Sequence, residues 1–222
     1  MKLLITGAGT PLADTVAASL GSAHDVRLTC FPHIGTEGKV EVQTVDLRNA
    51  EDAASLVDGV GAIVHLAAFS ADAFPQALGE AEQLDAATQG TYTLMTAARE
   101  SGVRRTIVAS RLSMFEAYPK RWQIDEGWRP RPQTTVDDLI PFLCERVCRE
   151  FAREEGEVIV LRFGNLGVET SEATAAKALT EALSVPIRDG RRYELAHVAD
   201  DADRYGGRAL RRMLDPSWQR RR

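Results

Sequence analysis

Two stretches of this chain hold residues whose types and spacing could do chemistry. Between Ser110-Arg111 and Tyr118-Pro119-Lys120, a guanidinium able to grip a carboxylate or phosphate with a two-pronged fork lies close to a phenol able to move a proton. Near the N-terminus, Thr6-Gly7-Ala8-Gly9-Thr10-Pro11-Leu12-Ala13 joins glycines that permit a tight turn to a helix start, whose amides would face an anion such as a pyrophosphate. What is missing matters as much. The lysines are Lys2, Lys39, Lys120 and Lys177, and none has a tyrosine four residues before it. No phenol therefore has an ammonium one helical turn away to pull its pKa from about 10 toward neutrality. Tyr118 also reads as a packing residue of its loop, and Arg111 as a solvent-facing cation.

The elements that would position these residues follow from hydrophobic spacing. Short β-branched or apolar runs occupy Lys2 to Thr6, Val26 to Cys30, Val40 to Val45, Ala62 to Leu66, Thr106 to Ala109 and Val158 to Arg162. Between them, Pro11 to Leu20, Ala50 to Val57, Leu78 to Ser101 and Asp137 to Glu155 carry apolar residues every three or four positions, as helices packed on a sheet do. The rhythm predicts an α/β fold, a doubly wound parallel sheet of the Rossmann kind with right-handed crossovers. Gly7 and Gly9 then fall in the first βα turn. An N-cap at Asp137 would leave Pro141 fourth in its helix rather than in the interior, where proline costs roughly 3 kcal/mol. After Arg162 the pattern predicts a helical stretch (Ser171 to Leu183), a hairpin-like Arg188 to Leu195 and a final helix from Asp200 to Leu214. The expectation is one domain over 1–222, with 163–222 as a short irregular portion.

Composition narrows the function classes. With 222 residues, 44% of them hydrophobic, the chain can fill one core but not two generous ones. A net charge of -5 argues against a nucleic-acid partner, which needs a concentrated basic face. Arg211-Arg212 and Arg220-Arg221-Arg222 read as a solvated helix end and tail. No apolar run reaches ~18 residues and a strand-like run follows Met1 directly, so no membrane segment or leader is expected and a cytoplasmic location is. Cys30, Cys144 and Cys148 cannot all pair. Cys144 and Cys148 share a helix face without metal-ligand spacing or a nearby histidine, so buried small hydrophobes are expected and no metal.

Further segments sharpen the reading. Asp46-Leu47, His65-Leu66-Ala67-Ala68, Gly90-Thr91, Leu161-Arg162-Phe163-Gly164-Asn165 and His197-Val198-Ala199-Asp200-Asp201 stand in the order in which extended short-chain dehydrogenases/reductases, the NAD-dependent epimerase/dehydratase group, carry similar segments. The chain resembles that family over roughly Met1 to Leu210, and Ala109-Ser110 through Tyr118-Pro119 resembles its uronate dehydrogenases. The resemblance implies NAD or NADP held by Gly7, Gly9, Thr10, Pro11 and Leu12 at the phosphates. Asp46 and Leu47 would meet the adenine, Leu66, Ala67, Ala68 and Ser110 would line the cofactor's course, and Arg111 and Asn165 would face a small anionic substrate. The second strand ends Thr29-Cys30-Phe31-Pro32-His33 with neither an acid for the ribose nor an arginine for a 2′-phosphate, so the choice of cofactor stays open. Phe31 would pack beside the adenine or cover the core, and His33 would lie in an exposed loop. Relatives associate through the helix ending near Ser101 and the one beginning near Asp137, which implies a homodimer.

The chain departs from that family where its chemistry lies. The family tyrosine falls at Val136 or Asp137 and its lysine at Ile140 or Pro141, while Arg111 stands in place of the second serine closing the fifth strand. Substitute acids or bases are Tyr118, Asp137 and Asp138. The main expectation is a dinucleotide-binding sensor or partner protein without the family's usual catalysis. The alternative is an NAD(P)-dependent oxidoreductase or epimerase acting on a small anionic or sugar-derived substrate, with Tyr118 and Arg111 as non-standard catalytic residues.

Overall fold

The computed structural model describes residues 1–35, 42–154, 156–185, 192–200 and 204–206. Its strands are β1 (Lys2–Thr6), β2 (Asp25–Cys30), β3 (Val42–Thr44), β4 (Ala62–His65), β5 (Arg105–Arg111), β6 (Glu157–Phe163) and β7 (Tyr193–Val198). Its α-helices are α1 (Pro11–Gly21), α2 (Ala50–Val57), α3 (Glu80–Glu100), α4 (Val136–Glu154) and α5 (Glu172–Ser184). The strands form one sheet in the order β3-β2-β1-β4-β5-β6-β7, every neighbouring pair parallel. This is the doubly wound sheet the sequence predicts.

Both faces of the sheet are covered, which is why its strands read as continuous apolar runs. In β1, Leu3 and Ile5 pack with α1 and α5 on one face while Leu4 packs with α2 and α3 on the other, and all three are wholly buried. In β6, Ile159, Leu161 and Phe163 join the first core, and Val158 and Val160 meet α4 through Cys144, Cys148 and Phe151. Helix starts are chemically marked: Thr10, Asn49 and Ser171 accept first-turn amides at α1, α2 and α5, as N-caps do. Cys144 and Cys148 are buried, and burial pushes the Cys144 thiol up to about 12. They are packing residues.

Three expectations need correction. The segment expected as a hairpin instead supplies β7, which pairs in parallel with β6 from Val158↔Tyr193 to Phe163↔Val198; α5 provides the crossover that a parallel neighbour requires. Residues 188–191 of that segment lie outside the described residues. Second, α4 begins at Val136, where the Thr135 carbonyl accepts the amides of Asp138 and Leu139. Asp137 is therefore no N-cap, and Pro141 sits inside the helix, where its missing amide forgoes a bond to the Asp137 carbonyl. Third, the strand expected from Val40 to Val45 is described as Val42–Thr44, with Val40 and Glu41 outside the described residues.

Most of the expected final helix, including Arg211, Arg212 and the terminal arginines, also lies outside them. Of the part described, Tyr205 makes an isolated bridge to Ile124. Among the described residues, no helix is long and apolar enough to cross a membrane.

Candidate dinucleotide groove and reaction centre

A crevice opens at the carboxyl ends of β1 and β4, where the strand order reverses direction. Such switch points are where open α/β sheets bind ligands. Its walls are Thr6 at the end of β1 and Gly7 after it, Thr29 to Phe31 at β2, Leu47 before α2, His65 and Ala67 at β4, Phe74, and Ala87 and Thr91 of α3. Gly7 has φ +80, and a Cβ there would stand 2.7 Å from the Ala67 amide nitrogen. Only glycine fits. Gly9 is also left-handed, at φ 97, and Thr10 locks the loop by donating to the Gly7 carbonyl at 2.9 Å while capping α1. With Pro11 first in α1, the helix N-terminus follows directly on the turn. Leu12 packs its side chain into the core.

Beneath the crevice a directed chain of hydrogen bonds ties β1, β4 and α3 together. The Ala67 amide donates to Thr6 Oγ1 at 3.2 Å, Thr6 lies 2.7 Å from His65 Nδ1, His65 Nε2 lies 2.9 Å from Thr91 Oγ1, and Thr91 donates to the Ala87 carbonyl at 2.7 Å. Because the Thr91 hydroxyl spends its proton on that carbonyl, His65 donates through Nε2 and accepts from Thr6 at Nδ1. Burial holds the imidazole neutral, its pKa lowered to about 4. The sequence reading passed over His65 and Thr91 as site-forming residues, although both stand in the motifs that it matched.

At the β2 end of the crevice, Phe31 meets Phe74 edge-on with centroids 5.5 Å apart, and the Arg48 guanidinium lies 5.8 Å from the Phe31 ring centre. Phe31 thus lines the crevice, and His33 is exposed in a left-handed turn at φ 67. Asp46 is spent locally: it accepts from the Arg48 side chain at 2.7 and 3.1 Å and from its amide at 3.0 Å. Burial raises the Asp46 pKa, but the Arg48 bonds outweigh it and hold the carboxyl below its ordinary value. Leu47 reaches the crevice. Leu66 and Ala68 are buried behind Ala67.

The expected catalytic residues do not come together. Tyr118 is buried against Phe115 and Trp128, its hydroxyl donates to the Arg129 carbonyl at 2.9 Å, and the Arg131 guanidinium sits 4.4 Å over its ring. It is the packing residue that the sequence allowed, not a cleft-facing acid. Ser110 is wholly buried and donates to Glu145 at 2.5 Å, on the α4 side rather than toward the crevice. Asp138 accepts from Ser113 at 2.6 Å and from the Gln133 amide at 2.9 Å, which fixes the entry to α4. Asn165 is exposed at the end of β6, its carbonyl accepting the amides of Val168 and Glu169.

Arg111 and Asp137 do meet. Arg111 Nη1 lies 3.5 Å from Asp137 Oδ1, its guanidinium 5.4 Å from the Phe69 ring centre. The same carboxylate accepts from Ser70 and from the Ala71 amide, both at 3.4 Å, so α4 is tied to the loop that leaves the crevice at β4. A cation and a carboxylate thus stand at the end of β5, the carboxylate at one of the two positions where the sequence reading expected the tyrosine. Its side chain is 55% exposed and open to a ligand.

A nicotinamide dinucleotide fits this geometry at its phosphate end, where the loop is held left-handed beside a helix N-terminus. Residues 3–200 match the model of the NAD dependent epimerase/dehydratase family. A uronate dehydrogenase of Pseudomonas syringae pv. tomato is 32% identical over 139 residues, 60% of this chain and 48% of that protein. The match thus spans about half the length of that curated relative. Among solved structures, a glucuronic acid dehydrogenase from Chromohalobacter salexigens superposes with a TM-score of 0.79 at 21% identity, covering 98% of this chain and 83% of the other. MoeE5, in complex with UDP-glucuronic acid and NAD, superposes with a TM-score of 0.72 at 19% identity, covering 90% and 76%.

Proposed function

This chain belongs to the NAD dependent epimerase/dehydratase family, and from that premise we propose that it binds NAD or NADP in the β1–β4 crevice to oxidise or reduce a small sugar-derived acid. The observation that carries this reading is the Arg111 and Asp137 pair at the end of β5, together with a phosphate loop in which only glycine fits at position 7. A bound nicotinamide ring supplies the hydride acceptor. The chain's own residues would do the rest. Arg111 would hold the substrate carboxylate in a bidentate fork, and Asp137 would take the proton from the hydroxyl being oxidised and release it to solvent. Asp137 lies in the first turn of α4. A carboxylate is a far weaker base than a tuned phenolate, so turnover would be slower than by a Tyr-x-x-x-Lys pair. The 32% identity to a uronate dehydrogenase supports the choice of substrate class.

A second reading, dinucleotide binding without turnover, is favoured by a different observation. The Tyr118 hydroxyl is committed to the Arg129 carbonyl, and α4 carries Pro141 with no lysine. Calorimetry with NAD, NADH, NADP and NADPH tests the shared premise, and no binding of any of the four would remove both readings. Assays of uronates and aldoses with whichever nucleotide binds then separate them, since turnover sensitive to Asp137→Asn supports the first and binding without turnover the second. The chain is further proposed to pair as a homodimer through α3 and α4. Tyr92, 58% exposed, lies against Phe151, and Leu143 and Val147 are only partly covered. Sedimentation showing a monomer at tens of micromolar would refute that pairing.

A further inference from the structure

A second cleft, of about 590 Å³, lies on the α4 face of the sheet beside its β7 edge, away from the dinucleotide crevice. Arg129 of the loop before α4, Arg146 and Arg149 of α4, and Arg162 of β6 line it, with the rings of Trp128 and Tyr193. Two carboxylates also border it, and both are engaged. Glu145 takes two bonds from Arg162, each 2.7 Å, and one from Ser110. Glu126 accepts from the His197 amide at 3.4 Å. The cleft therefore keeps a positive balance.

Arg162 supplies an independent sign of a ligand. The side chain is 4% exposed, its Nε and Nη2 are satisfied by Glu145, and its Nη1 is buried with no hydrogen-bond partner. A buried cationic donor left unpaired is costly, and native structures retain few such groups. The arginines nearer solvent, unlike Arg162, lack a carboxylate to pair with. Among the described residues, Arg146 and Arg149 have no carboxylate partner and lie over rings instead, Arg146 at 5.0 Å from the centre of Phe142 and Arg149 at 5.8 Å from that of Tyr193. These rings hold the guanidinium planes without consuming their donors. Tyr118 supports the opposite wall through its bond to the Arg129 carbonyl.

We propose that this cleft is a binding site for a small multiply charged oxyanion, a phosphorylated or polycarboxylated metabolite, gripped by Arg146 and Arg149 and reaching toward the unpaired Nη1 of Arg162. The guanidinium forks match phosphate and carboxylate oxygens bidentately, and Trp128 stands in the same lining. The site does not rest on the dinucleotide reading, because none of its residues lines the crevice.

The test is a titration of the full chain with pyrophosphate and, separately, with citrate, at constant ionic strength made up with sodium chloride. Heat and tryptophan fluorescence are both read, and Trp128→Phe assigns the optical signal. The expected result is saturable binding of at least one anion, weakened tenfold or more in Arg146→Ala/Arg149→Ala, whose unchanged circular dichroism and melting show that it is folded. Pyrophosphate binding alone identifies a phosphate ligand, citrate binding alone a carboxylate ligand, and both a general oxyanion site. No saturable binding, or binding that the double variant leaves intact because the anion sits on the Gly7 loop, overturns the proposal.

Discussion

Gly7 and Gly167 are both left-handed, at φ +80 and +79, yet they differ in what a methyl group would meet. At Gly167 nothing lies within 4 Å, whereas at Gly7 the Ala67 backbone stands at 2.7 Å. Gly167→Ala should therefore cost only the backbone strain, about 1 kcal/mol, and leave nucleotide binding unchanged. Gly7→Ala should cost more, roughly 2–4 kcal/mol once the loop is pushed from β4, and should weaken dinucleotide binding at least tenfold. Melting and calorimetry on the two variants check this, and equal behaviour would show that the loop is not held by its contact with β4. Tyr118 gives a second prediction at this scale. Tyr118→Phe removes one hydrogen bond, about 1 kcal/mol of stability, and should spare any turnover, while Asp137→Asn should abolish it. A dead Tyr118→Phe enzyme in steady-state assays would return the chemistry to the loop. The glycine turn after β1 was legible because glycine is demanded by backbone geometry that local sequence encodes. The Arg111 and Asp137 contact was not, because it joins β5 to α4 across a loop whose path no spacing rule fixes.

Among the elements, α4 carries the most. Through Glu145 it bonds Ser110 of β5 and Arg162 of β6, so one buried carboxylate ties a helix to two neighbouring strands. Glu145 is 3% exposed and Arg162 4%. Removing one member leaves the other charge uncompensated, and Glu145→Ala should destabilise the fold by roughly 3–5 kcal/mol. Replacing both with apolar residues of similar volume, as in Glu145→Leu/Arg162→Met, should cost less than the single change. Urea unfolding of the three proteins checks it, and an additive double variant would mean that the pair is not coupled. The sequence placed α4 within a residue or two because Ile140, Cys144, Cys148 and Phe151 recur at helical spacing, and it misread Asp137 as the cap. A cap assignment needs to know which residue's carbonyl begins the ladder, and here Thr135 does so. The segment from Arg188 to Leu195 was read as hairpin-like where its described end belongs to β7, because local spacing does not reveal whether a strand's neighbour runs parallel.

For the whole molecule, pH should act through two buried imidazoles before it acts through carboxylates. His65 is 1% exposed with its pKa lowered to about 4 by burial, and His197 is 1% exposed with its pKa lowered to about 3 by burial and by the nearby Arg162. In the unfolded chain both titrate near about 6.5. Above that pH neither state binds the proton and stability is at its full value. As pH falls from about 6.5 toward 4 the unfolded state takes up protons that the folded state refuses, so stability falls, at up to about 1.4 kcal/mol per pH unit for each histidine. Below 4, His65 protonates in place and the His197 contribution continues to about 3. Asp46, whose carboxyl is held below its ordinary value, and Asp200, lowered by the Thr174 hydroxyl and the Ser171 amide, lose their contributions only as pH falls through that lower range. The melting temperature should hence be level from pH 8 to 7 and fall steeply between pH 6.5 and 4.5, before carboxylate protonation begins. His65→Gln should start from a lower melting temperature, because it breaks the bonds to Thr6 and Thr91, and yet show a shallower slope across that window. A melting temperature unchanged between pH 7 and 4.5 would mean that both imidazoles accept protons without loss of the fold, and that the hydrogen-bond chain under the crevice does not run in the direction assigned to it.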